Sequence, residues 1–147
     1  MIQNDGSGWA EIRIGNFHDV ASYITPVPLD CLNAFINCFR DSLPACIQFD
    51  AEKYRYILIA TWDETLICVQ NNSACDYVVR CEVNVYQLAN EIIKDIEGDT
   101  YGWATFLEED DDDIERVNRT LKDKVNELKS YIKSDRYNAF AHCYLVQ

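Results

Sequence analysis

Basic side chains are scarce in this sequence. Thirteen Lys and Arg stand against 25 Asp and Glu, a net charge of −12 at pH 7. Nucleic acids and anionic membranes are bound largely through Lys and Arg, so direct binding to either is disfavoured and a basic partner fits better. No apolar run approaches the roughly 18 residues of a membrane span. The opening MIQNDGSGWA lacks the basic-then-apolar layout of a signal peptide, which predicts a cytoplasmic protein. Catalytic signatures are missing as well: no G-x-S-x-G, no H-E-x-x-H and no phosphate-cradling glycine loop. The two histidines are His18, in a loop candidate, and His142 beside Cys143. In a strand those adjacent side chains would point to opposite faces, out of nucleophile–base reach. The expectation is a protein that is no enzyme and carries no cofactor or metal.

Cysteine is present but not in pairs of useful spacing. The seven residues (31, 38, 46, 68, 75, 81 and 143) form no C-x-x-C, and an odd count without a secretion signal argues against a disulfide framework. Most lie in apolar stretches, where a thiol behaves as a small hydrophobe, so they are expected to be reduced and largely buried.

With 147 residues, 48% of them hydrophobic, the chain is expected to form one globular domain over residues 1–147. Ala10, Ile12 and Ile14 alternate with charged residues in a first strand, Trp9 to Ile14. Leu29, Leu32, Phe35, Ile36 and Phe39 make a helical stripe that starts near Pro28, capped by Thr25 or a neighbour, and stops before Pro44. Short strands follow at Ala45–Phe49, Tyr54–Thr61, Thr65–Gln70 and Tyr77–Val83, the middle two joined as a hairpin. Helical period returns over Val85–Ile96 and ends at Gly98. Ile114, Val117, Leu121, Val125, Leu128 and Ile132 then form one narrow seam on a long amphipathic helix. The terminal NAFAHCYLVQ reads as a last strand or a docked tail. The predicted class is α+β: an antiparallel meander of four to six strands covered by helices.

The feature that stands out is FLEEDDDDIERV, Phe106 to Val117. Between Lys94 and Arg116 there are ten acidic residues and no basic one. At a helix start, acidic side chains gain about 0.3–1 kcal/mol each from the helix dipole, and one serves as the cap. That accounts for two or three of them. The surplus reads as an interaction surface made of Glu108, Glu109, Asp110, Asp111, Asp112 and Asp113, with Asp99 nearby and Trp103 as an aromatic anchor. A calcium loop, which spaces its oxygens at alternate positions around a glycine, is a poor match.

Three segments, GWAEIRI, SYITPVPLDCLNAF and IQFDAEKYRYILI, together resemble a group of small bacterial proteins. These begin with a Gly-Trp strand, continue through a Ser-Tyr and Pro-Leu helix start, and reach an F-D-x-E-x-x-x-Y strand. Several act as immunity proteins of polymorphic toxins, including those of contact-dependent growth inhibition. The resemblance implies a cytosolic antidote that binds its cognate toxin domain and blocks the active site; separately, the chain is expected to be monomeric or weakly dimeric. Many such toxins are nucleases with basic grooves, for which a row of carboxylates imitates phosphates. The alternative is an acidic regulator or nucleic-acid mimic that binds another basic host protein.

Overall fold

The structure is a computed structural model that describes residues 1–71 and 74–134, with the backbone alone at residues 74 and 75. The expected C-terminal strand or tail, with His142 and Cys143, lies outside the described residues.

The described residues form two antiparallel sheets and four helices, an α+β arrangement. The N-terminal sheet is a meander of β1 (Ile2–Asn4), β2 (Trp9–Ile14) and β3 (Phe17–Ser22). Only β2 is expected from alternation, and its Ala10, Ile12 and Ile14 are indeed buried. The segment of β3 corrects the loop expected around His18. Gly15 takes a left-handed φ of 56°, and with Asn16 it closes a two-residue hairpin in which Ile14 faces Phe17. β3 shows no clean alternation, because Ala21 and Ser22 are both fully buried.

Helix α1 (Val27–Asp41) follows the predicted stripe, with Leu32, Phe35, Ile36 and Phe39 inside and Leu29 only half-buried. The expected cap is not made: Pro26 holds the N-cap position and no side chain bonds there. Its end comes at Ser42, left-handed at φ 58°, before Pro44. The second sheet is the expected four-stranded meander of β4 (Ala45–Asp50), β5 (Arg55–Ala60), β6 (Thr65–Asn71) and β7 (Ala74–Cys81), but β7 begins three residues before the expected Tyr77 and ends two before Val83. One face, from Ile47 and Phe49 through Tyr56 and Leu58 to Ile67 and Val69, lies in the core. The opposite face keeps Cys46 exposed and Ile57, Ile59, Leu66 and Cys68 half-exposed. Burial of the thiols is therefore less complete than expected. Cys31, Cys38 and Cys81 are buried, whereas Cys46 and Cys68 occupy the uncovered face dictated by their register.

Helix α2 (Val85–Gly98) begins with a capping box. The Asn84 side chain accepts from the Tyr86 and Gln87 backbone N–H groups, and the Gln87 side chain accepts from Asn84 N–H. A separate helix not expected from the sequence, α3 (Thr100–Leu107), comes next. Then α4 (Asp111–Lys133) runs 23 residues across α1, α2 and α3. Its seam is the one read from spacing: Ile114, Val117, Leu121, Val125 and Leu128 are buried, and Ile132 packs at the margin.

Candidate functional site at the acidic corner

The acidic run is a corner between two helices. Asp99 caps α3, its carboxylate accepting from Gly102 N–H at 2.8 Å. α3 ends at Glu108, whose backbone is extended and whose N–H donates to the Ala104 carbonyl at 3.0 Å. Glu109 links to Asp110, the N-cap of α4, whose side chain accepts from Asp112 N–H at 3.0 Å. The Asp110 carbonyl takes the first helical bond, from Ile114 N–H at 2.8 Å. Asp113 forms an exposed pair with Arg116 at 2.7 Å.

This geometry divides the six carboxylates. Asp110 is tied up in capping and Asp113 in an ion pair. The carboxylates of Glu108, Glu109, Asp111 and Asp112 have no hydrogen-bond or ion-pair partner among the described residues, and the last three are exposed. Helix polarity favours Asp111 and Asp112 by at most about 1 kcal/mol each. It does nothing for Glu108 and Glu109, which precede the helix, with Glu108 at the unfavourable C-terminal end of α3. Tertiary structure relieves other members of the acidic interval instead. Asp95 receives the Met1 amino group at 2.6 Å, and Glu97 pairs with Lys129 of α4.

Trp103 is not part of this surface. It is 2% exposed, its ring meets Phe106 edge-on at 5.5 Å between centroids, and its Nε1–H donates to the Asp95 carbonyl at 3.4 Å. Its position in the first turn of α3, a helix that faces the core, removes it as a partner anchor. Asp99 stays exposed, but the run and Asp99 sit at opposite ends of that helix.

Sequence reasoning missed what lies beside the run. A cleft of about 690 Å³ opens between the corner and the β1–β2 loop; its walls include Gly6, Ser7, Gly8, Tyr23, Phe106 and Leu107, with Glu108–Asp110 along one side. Short local bonds shape the loop: Gly6 N–H donates to the Asn4 side chain at 2.9 Å and Ser7 N–H to Asp5 at 2.8 Å. Asn4 also donates from its amide to the Gly102 carbonyl at 2.9 Å, which anchors the loop to α3. Tyr23 is 63% exposed. The turn residues in NDGSG signal such a loop, but nothing in the sequence places it against residues a hundred positions away.

A cleft lined by carboxylates together with ring and methyl groups can accept cationic side chains: the guanidinium or ammonium bonds a carboxylate while its stem packs on the apolar groups. Among the described residues no group of three or more His, Cys, Asp or Glu is arranged to hold a metal ion, and no helix is long and apolar enough to cross a membrane. Comparison with protein-family models, curated proteins and solved structures returns no match to this chain.

Proposed function

We propose that this chain is an immunity protein that binds a cognate bacterial toxin domain, a nuclease with a basic substrate groove, and covers that groove with its acidic corner. The observation that carries the reading is the set of four carboxylates, Glu108, Glu109, Asp111 and Asp112, that have no partner among the described residues and lie at or beside a cleft. Such a row is unfavourable in the free protein, since neighbouring charges repel within the screening length of about 8–10 Å. A basic partner offsets that repulsion, and the resemblance of the N-terminal segments to immunity proteins points to the kind of partner. The protein acts in the cytoplasm, where the toxin meets its substrate.

Mechanistically, the carboxylates present the charge that a nuclease groove expects from phosphates, and they accelerate encounter by steering. Arg or Lys stems from the groove then lie on Tyr23, Phe106 and Leu107. The test keeps the cap and the ion pair intact: Glu108→Gln, Glu109→Gln, Asp111→Asn and Asp112→Asn together. Association with a cognate toxin domain should slow by about tenfold or more at low salt, with the gap closing as salt rises. Thermal stability should be unchanged or slightly higher. Unaltered association rates, or a wild-type chain that fails to protect cells from that toxin, would overturn the proposal.

A further inference from the structure

Tyr23 is the most exposed large apolar side chain among the described residues, at 63%. A ring that shows so much of itself to water gains little by being held still, yet this one is held. Its N–H donates to the Gly8 carbonyl at 3.0 Å, and the fully buried Ser22 precedes it. The Ser22 carbonyl in turn accepts from the Thr25 N–H and hydroxyl, each at 3.2 Å. Gly8, left-handed at φ 87°, leaves room for the ring: a methyl group there would stand 3.3 Å from Tyr23 Cδ1. The result is an exposed aromatic surface in a fixed place, at the edge of the acidic cleft.

We infer that Tyr23 is the platform for an arginine side chain of a protein partner, the guanidinium stacked on the ring and its N–H groups bonded to Glu108 or Glu109. The inference rests on the reading of this corner as the contact surface for a basic partner, not on that partner being a nuclease. It narrows the reading to one residue type and one anchor. Charge chooses a cationic occupant: Glu108, Glu109 and Asp110 line the same cleft as Tyr23, Phe106 and Leu107, and among the described residues no Lys, Arg or His lines it. The ring then chooses between the two cations. A guanidinium is planar and weakly hydrated, and it stacks on an aromatic face while its edge still reaches a carboxylate. An ammonium is a compact, strongly hydrated point charge that loses more on leaving water. Tyr offers a large rigid contact area at low entropic cost, which is why Tyr and Arg are enriched at binding hot spots.

Residues 135–147 of the same chain do not supply this occupant. They leave the far end of α4, whose 23 residues put about 35 Å between Ser134 and the corner. An extended chain advances at most about 3.6 Å per residue. Only Leu145, Val146 and Gln147 of that stretch come within reach, and none of them is basic. Its one arginine, Arg136, stays within about 7 Å of the end of α4.

The experiment is an NMR titration of the full chain at physiological salt with three capped tripeptides: Gly-Arg-Gly, Gly-Lys-Gly and the uncharged Gly-citrulline-Gly. The arginine peptide should shift the amide resonances of Gly6, Gly8 and residues 105–109 with millimolar affinity, about threefold or more tighter than the lysine peptide. The citrulline peptide, equal in shape but without charge, should leave the spectrum unchanged. Tyr23→Ala, at an exposed position that the core does not need, should abolish the preference for arginine over lysine, and Tyr23→Phe should keep it. Glu108→Gln with Glu109→Gln should weaken both cationic peptides alike, by about threefold or more. Equal binding of the two cationic peptides to wild type, a preference that survives Tyr23→Ala, or shifts confined to other surfaces would overturn the inference. No toxin enters this experiment, so arginine-selective binding by a chain that fails to protect cells supports the inference even as the toxin-binding reading falls.

Discussion

Asp99 and Gly102 offer a double-substitution cycle whose outcome is set by geometry. An alanine methyl at Gly102 would lie 2.0 Å from Asp99 Oδ2 and 2.6 Å from its Cγ, so the carboxylate must swing away and release its bond to the Gly102 N–H. Losing an N-cap costs about 1 kcal/mol. Placing Ala for Gly inside a helix gains up to about 1 kcal/mol, because glycine loses more backbone entropy on folding. Gly102→Ala should therefore come out near zero, two opposed terms of similar size. Asp99→Ala alone should cost about 1 kcal/mol. Asp99→Ala added to Gly102→Ala should cost nothing further, since the cap is already gone. The expected coupling is about 1 kcal/mol, which for a chain of this size corresponds to a melting shift of about 3 °C. Urea unfolding of the four proteins measures it. If Asp99→Ala costs the same in both backgrounds, the carboxylate never left its cap and the steric argument is wrong.

Two further outcomes follow from burial. Leu121 is fully buried mid-seam on α4, so Leu121→Ala should cost about 2–5 kcal/mol, whereas Lys122→Ala on the exposed face should stay within about 0.5 kcal/mol. Equal losses in chemical denaturation would mean that α4 is not docked by this seam. Burial, with the hydrogen bond to Asp19, pushes the Tyr54 phenol from 10.0 up to about 12. The folded state thus favours the neutral phenol, a contribution fully present below pH 10 and lost as pH rises through about 12. Tyr54→Phe should make the alkaline decline in stability shallower over that window, and parallel declines in both proteins would refute the assignment.

Sequence periodicity was informative where one face of an element is buried along its whole length. The α4 seam and the strands β4 to β6 appear where the spacing puts them, because a single repeating burial constraint shapes each one. β3 and α3 escaped for the opposite reason. In β3, Ala21 and Ser22 are both buried where sheet and loop meet, which breaks the period of two. In α3, only Trp103 and Ala104 are buried, too few to mark a helical period, and its cap, Asp99, directly follows the glycine that ends α2.

The candidate site divides in the same way. The sequence by itself determined that six carboxylates would be adjacent and that a helix would begin among them, since charge order and capping preference are local properties. Which carboxylates remain available depended on tertiary structure. So did the pairing of Glu97 with Lys129 and of Asp95 with the Met1 amino group, the burial of Trp103, and the approach of the Gly6–Gly8 loop and Tyr23 to form a cleft. Those contacts join residues up to about a hundred positions apart. Their formation is decided by how α3 and the N-terminal sheet share one core, a competition for buried apolar surface that no local pattern records.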